Sequence, residues 1–147
     1  MDLSLKKNFM KGETETPTRL NYMNFEQLIE VAKSTLNPQT LSKNTEVGKV
    51  ACALETLDGN VYTGINIDTA CSMGFCAEAN AIGSMVTNNE SVIKKIVAVS
   101  ANHGVIPPCG RCREFMVQIN EENLNADVIL DDGVYKLKDL LPKRWEH

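Results

Sequence analysis

Apolar positions change their spacing several times along the chain, and each change marks a predicted element. After Asn24, residues Leu28, Ile29, Val31, Ala32 and Leu36 recur at helical spacing until Pro38 forbids continuation. Asn24 reads as the N-cap, with Gln27 at the capping-box position. Val47 to Thr56 and Asn60 to Ile67 then read as two strands, joined by a hairpin turn at Asp58-Gly59. Asp68 to Phe75 reads as a loop, followed by a helix from about Cys76 to Val86 that stops before Asn88-Asn89. The apolar run Ile96-Val97-Ala98-Val99, within Lys95 to Ser100, suits a buried strand. A loop over Asn102 to Pro108 leads to a second helix running to about Asn120, with Phe115, Met116 and Ile119 on its apolar side. Two late strands, Asp127 to Leu130 and Val134 to Leu137, flank Asp131-Asp132-Gly133, and a short helix ends at Leu141-Pro142.

The order α-β-β-α-β-α-β-β-α, with helices crossing over between strands, predicts an α/β fold with helices covering a mixed sheet of about five strands. Residues 1–20 are polar and aperiodic, and are expected to form a flexible extension before one domain over residues 21–147. The N-terminus lacks the apolar core of a signal peptide, and no apolar run approaches the ~20 residues that span a bilayer. A cytoplasmic protein is expected, with its five cysteines as reduced thiols or metal ligands.

Charge narrows the partners. The net charge is −4, the pI about 5.2, and aromatic residues make up 5% of the chain. Nucleic-acid binding calls for a basic stripe, often with stacking aromatics. A small-molecule substrate is therefore expected, with neither nucleic acid nor membrane as partner.

The chemistry concentrates in Cys76-Ala77-Glu78 and Pro108-Cys109-Gly110-Arg111-Cys112. A closed structural zinc site uses four protein ligands, whereas a catalytic one leaves a position open. Three cysteines with a nearby glutamate fit the open type, with one Zn²⁺ per chain. Cys109 and Cys112 share one face at a helix start, and Cys76 opens another helix. Helix N-termini favour thiolate over thiol, so all three are expected to ionise there. Cys76 and Glu78 are two apart, which in an ideal helix points them away from each other. The helix must therefore begin within one residue of Cys76. Three thiolates on a divalent ion leave net negative charge, and Arg111 and Arg113 are placed to donate to the sulfurs. Glu78 is the candidate general base and then general acid. Blander alternatives stay open: buried or redox cysteines, a helix-start carboxylate at Glu78, turn residues at Asn66 and Asp68, and a solvated Arg111. Cys52 is expected in a strand and His103 in a loop, and Cys71 could tempt a four-cysteine site.

With these residues in view, the chain resembles the cytidine deaminase family, in its small nucleoside-acting branch, over roughly residues 47–142. Val50 to Asn66 is similar to the family's first hairpin, Asn66-Ile67-Asp68-Thr69-Ala70-Cys71 to its N-I-E-N-A-C segment, and Leu140-Leu141-Pro142 to its L-L-P. The resemblance implies a three-layer α/β/α fold, zinc dependence, and a homotetramer with sites at subunit interfaces. It implies hydrolysis of cytidine or deoxycytidine to the uridine product and ammonia, as in pyrimidine salvage. It also gives Asn66 and Asp68 to the ribose hydroxyls and Ala77 to the substrate. Three departures stand out: Asp68 replaces a Glu, Ala79 follows the C-A-E where Arg is usual, and Gly48 falls about where the family has a base-stacking aromatic. Arg111 inside the cysteine pair, and Trp145-Glu146 near the end, look more like blasticidin S deaminase. That points to a runner-up substrate, a modified cytosine nucleoside or another aminated heterocycle, and makes Trp145 a candidate to stack on it. A non-catalytic zinc module is the remaining alternative.

Overall fold

Helix α1 (Phe25–Thr35) starts where its cap predicts. Asn24 Oδ1 accepts from the Gln27 N–H at 2.8 Å, and Gln27 Oε1 accepts from the Asn24 N–H at 3.0 Å, so two first-turn donors find partners in each other's residue. The computed structural model describes residues 21–146; the expected flexible extension over residues 1–20 lies outside them. The further elements are β1 (Gln39–Ser42), β2 (Thr45–Thr56), β3 (Val61–Thr69), α2 (Ala77–Thr87), β4 (Ile93–Ser100), β5 (Gly104–Ile106), α3 (Gly110–Ile119), β6 (Asp127–Leu130), β7 (Gly133–Lys136) and α4 (Leu137–Leu140). Single 3-10 turns occupy Ala70–Ser72 and Glu121–Asn125.

The five expected strands form one sheet, β3 beside β2, β2 beside β4, β4 beside β6 and β6 beside β7. It is mixed, because β4 and β6 pair parallel across the α3 crossover while the other pairs are antiparallel. Two short strands enlarge it to seven: β1 pairs with the start of β2, and β5 with the end of β4. Neither carries a period. All four residues of β1 are exposed, and β5 is three residues inside a stretch punctuated by Gly104 and two prolines.

Successive residues of a strand face opposite sides of the sheet, and β2 is buried on both. Cys52 and Leu54 pack beneath Ala81, Ile82, Met85 and Met116, from α2 and α3. Ala51 and Ala53 face Leu28 and Ala32 of α1. Helices thus cover both faces, giving three layers. Gly64 lets α2 lie directly on β3, since a Cβ there would stand 2.4 Å from Ala81 N and 2.6 Å from Ala77 O.

Two features of β2 shape what lies above it. Glu55 and Lys95 are cross-strand neighbours and form an ion pair of 2.7 Å, with side chains 1% and 8% exposed. Lys95 Nζ also donates to Met23 O, and Met23 N donates to Glu55 Oε2 at 2.8 Å, so the pair ties the chain entering α1 to the sheet. At the other end, Gly48 adopts φ +78°, and a Cβ on it would stand 2.0 Å from Asn37 O. Only glycine fits that backbone and that space.

Candidate active site

Both cysteine-bearing helices start at a cysteine. Cys76 is the N-cap of α2 with extended backbone (φ −69°, ψ 157°), and Cys109 is the N-cap of α3 (φ −66°, ψ 166°). The extended conformation at Cys76 removes the helical-spacing conflict with Glu78, so the expected start within one residue of Cys76 holds. Cys112 follows in the first turn of α3. The sulfurs of Cys76, Cys109 and Cys112 lie within 4.8 Å of one another, with Cys76–Cys109 at 3.7 Å and Cys109–Cys112 at 3.5 Å. Two thiolates about 2.3 Å from one tetrahedral zinc would sit roughly 3.8 Å apart. The donor set therefore fits one zinc ion.

Glu78 is 4% exposed, and its Oε2 lies 3.6 Å from Cys112 Sγ. Burial pushes its carboxyl above the usual carboxylate range, against a backbone N–H and the Cys112 thiol, which favour the charged form. The three thiols do not ionise alike. Cys109 is held below an ordinary thiol: burial opposes this, but the Cys112 N–H, the Cys112 and Cys76 thiols and the Arg111 N–H prevail. Burial pushes Cys76 up, and pushes Cys112 well up with the Glu78 charge adding to it. Helix starts alone thus do not suffice for three thiolates. A cation between the sulfurs, as zinc would be, would favour the ionised forms of Cys76 and Cys112.

These groups line a cavity of about 600 Å³. Ala77, fully buried, lines it at the start of α2, and Asn66 and Asp68 line it from β3. Asn66 Nδ2 donates to Asp68 Oδ2 at 3.0 Å, and Asn66 Oδ1 accepts from the Val50 N–H at 2.8 Å. Arg111 is exposed and lines both this cavity and a small cleft shared with Cys76, Ala79, Cys112 and Phe115. Arg113, expected to serve the sulfurs, is otherwise engaged. Its Nε donates to Pro108 O at 2.9 Å and its Nη1 to Leu140 O at 3.0 Å, which pins the turn before Cys109 to α4.

Trp145 is 64% exposed and is not among the described residues lining the cavity; its backbone N–H donates to Glu114 Oε1 at 3.0 Å, along α3. Cys52 is buried in β2, Cys71 is exposed on the turn after β3, and His103 is exposed in the loop before β5. Several wall residues escaped the sequence reading. Val50 faces the cavity beside the Gly48 irregularity, and Ile106 and Pro107 reach it through β5. Thr69 also lines it, with a buried hydroxyl that has no hydrogen-bond partner among the described residues. The Gly-Val-Ile-Pro run was the available signal for β5, and it is too short to carry a period. Asn80 Nδ2 donates to Ile65 O at 3.1 Å and holds α2 against the strand that bears Asn66.

Residues 24–126 match the cytidine and deoxycytidylate deaminase zinc-binding region. The chain is 36% identical over 70 residues to a cytidine deaminase of Sporosarcina psychrophila, covering 47% of this chain and 52% of that one. It thus spans about half the length of that relative. It is 31% identical over 99 residues to the blasticidin-S deaminase of Bacillus cereus, covering 61% and 69% respectively. Among solved structures, the cytidine deaminase of Burkholderia pseudomallei superposes with a TM-score of 0.68 at 30% identity, covering 84% of this chain and 100% of that one. The enzyme of Mycobacterium leprae shares the fold, with a TM-score of 0.70 at 24% identity over 82% of this chain and 99% of its own. With three converging cysteine sulfurs, a buried glutamate beside them and a family match across both motifs, the chain belongs to the cytidine and deoxycytidylate deaminase family.

Proposed function

We propose that the protein is a zinc-dependent hydrolase that deaminates cytidine or deoxycytidine, giving uridine or deoxyuridine and ammonia. One observation carries the reading: the buried Glu78 carboxylate stands beside the three-sulfur cluster at the wall of a nucleoside-sized cavity. Cys76, Cys109 and Cys112 would hold the metal. When bound, zinc would supply Lewis-acid chemistry that lets water lose a proton near neutral pH. Glu78 takes that proton on its carboxylate and delivers it to the ring nitrogen. It then takes the proton of the hydroxyl added to the ring carbon and delivers it to the amine, which departs as ammonia. Its raised affinity for a proton suits both directions of transfer. Asp68, exposed at the cavity wall, meets the sugar hydroxyls, and Ala77 bounds the base at the start of α2. Arg111 offsets the negative charge of three thiolates from the rim of the cavity.

A second reading, deamination of a sugar-modified cytosine nucleoside of the blasticidin S kind, is favoured by Gly48. That position cannot carry the aromatic that the family uses against the base. Ammonia release from zinc-loaded protein given cytidine, deoxycytidine, cytosine and blasticidin S in parallel tests both. Release from cytidine or deoxycytidine supports the first reading, release from blasticidin S alone the second, and none from any of them removes both.

A cytoplasmic homotetramer, with Trp145 approaching a neighbour's cavity, completes the proposal. Phe75 just before α2, Val86 in α2 and Phe115 in α3 are apolar and exposed, where a second copy would pack. Light scattering should return four copies of the 16.2 kDa chain. A monomer at working concentration would remove this part.

A further inference from the structure

The two cysteines that cap helices are each held through the carbonyls on either side of them, and by different means. Before Cys76, Phe75 O accepts from the Ile67 N–H at 3.0 Å; after it, Cys76 O accepts from the Asn80 N–H at 3.2 Å. A strand and a helix thus fix both peptide planes around Cys76. After Cys109 the helix does the same, with Cys109 O accepting from the Arg113 N–H at 3.0 Å. Before it no strand continues: β5 ends at Ile106, and Pro107 and Pro108 lack the N–H that ladder pairing needs. The Pro108 carbonyl goes instead to the Arg113 side chain, whose Nε donates to it at 2.9 Å.

The same guanidinium is anchored on α4. Its Nη1 donates at 3.0 Å to the carbonyl of Leu140, the last residue of that helix. The final carbonyls of a helix have no partner within it, and a cation beside them is favoured. α4 is itself fixed: Leu137 is fully buried in the cluster that holds Met85 and Met116, and its N–H donates to Ala126 O at 3.0 Å. A guanidinium is planar and its donors keep fixed directions. Arg113 therefore passes the position of α4 to the peptide that precedes Cys109. The Leu140-Leu141-Pro142 run carries no group suited to catalysis, and this bond gives it a task.

Cys109 is where such a hold matters. It is exposed, so packing does not confine it. Its sulfur lies 3.7 Å from Cys76 Sγ and 3.5 Å from Cys112 Sγ, between the two helix starts. A rotation of the peptide before it would swing that sulfur relative to both. We propose that Arg113 is a positioning residue for the metal site: braced on α4, its side chain holds the Pro108–Cys109 peptide so that the Cys109 sulfur meets zinc together with Cys76 and Cys112. It acts by geometry, through Cys109, and not as a counter-charge. The inference rests on the three cysteines holding zinc, as proposed above, but not on turnover.

The test compares zinc affinity in the wild type, Arg113→Ala, Arg113→Lys and Glu114→Ala, by competition with a chromophoric chelator. Cobalt(II) absorption reports the geometry of the sulfur ligands in each, and melting in excess chelator gives the stability of the metal-free fold. Groups that orient a metal ligand are worth about 10–100-fold in affinity. Arg113→Ala should lose about that much and shift the cobalt bands. Arg113→Lys keeps the charge without the planar fork, and should lose nearly as much. Glu114→Ala frees the Trp145 N–H from the same helix and should change neither reading. Wild-type zinc affinity in Arg113→Ala, weaker zinc binding with unaltered cobalt bands, or full rescue by Arg113→Lys each overturn the proposal; the last would assign Arg113 to charge. A loss in Glu114→Ala equal to that in Arg113→Ala overturns it too. Should Arg113→Ala not fold without metal, Arg113→Lys decides by the same two readings. A wild type that binds neither zinc nor cobalt removes the metal site and the proposal with it. Ammonia release from cytidine is read separately. Its absence with the Arg113 effect intact removes the deaminase reading and leaves the positioning role standing.

Discussion

Glu78 Oε2 lies 3.6 Å from Cys112 Sγ, although the two residues belong to the first turns of different helices. The proposed base and a proposed metal ligand are therefore held by the same pair of helix starts. They still serve separate tasks, and substitution separates them.

Glu78→Gln keeps the shape of the side chain and removes its ability to take a proton. The variant should retain one zinc per chain while turnover falls by about 10²–10⁴. Metal analysis beside a kinetic assay checks this, and undiminished turnover would falsify the role given to Glu78.

Cys109→Ala removes the thiol most readily ionised of the three. Zinc should be lost at sub-micromolar free metal. Stability falls as well, because a ligand held at 100 times its Kd contributes about 2.7 kcal/mol to the folded state. Wild type and variant compared by thermal melting, with and without chelator, give the result. A wild type insensitive to chelator would count against the ligand set.

The Glu55–Lys95 pair is buried between β2 and β4 and bonded to both backbone groups of Met23. Lys95→Met leaves the Glu55 carboxylate buried without its cation, and should cost about 3–5 kcal/mol. Glu55→Leu combined with Lys95→Met should recover much of that loss. Denaturant unfolding of the two variants decides it, and equal losses would mean that the pair does not behave as a unit.

Gly48→Phe puts an aromatic about where the resemblance places the family's base-stacking one, and should fail to restore its use. A left-handed backbone at a non-glycine residue costs about 1–3 kcal/mol, and the new Cβ meets Asn37 O at 2.0 Å. The expected outcome is a drop in melting temperature with no gain in cytidine affinity. A stable variant with tighter cytidine binding would show that this end of β2 can rearrange.

Glu90 gives the hairpin turn a pH dependence. Burial pushes its carboxyl up, but hydrogen bonds from Thr56, Tyr62 and Asn60 outweigh it and hold the group below the usual range. A depressed carboxyl contributes stability that is present above its unfolded-state pKa and is lost as pH falls through its folded-state value. Wild type should thus lose stability on acidification in the range where carboxylates protonate, and Glu90→Gln should lose less there. Parallel melting curves from pH 7 downward that track each other throughout would dismiss this.

What could be read beforehand depended on how local each feature is. The α1 cap needed only Asn24 and Gln27, and the start of α2 at Cys76 followed from the two-residue spacing to Glu78. β1 could not be read, because four exposed residues carry no alternation, and neither could β5, which is too short for one. Arg111 and Arg113 looked equivalent as cations beside the sulfurs. The position of Leu140 O, many residues away, reserves Arg113 for the backbone and leaves Arg111 at the cavity.

The chain by itself determined the helix starts, the strands with a buried side, and the donor chemistry of three cysteines and one glutamate. Each depends on residues a few positions apart, whose geometry the backbone dictates. Only the tertiary structure decided which thiol ionises most readily, that Gly48 closes its position to an aromatic, and that the Asn66 amide bonds Val50 and Asp68. These depend on burial and on atoms brought together across strands, where distance along the chain says nothing about distance in space.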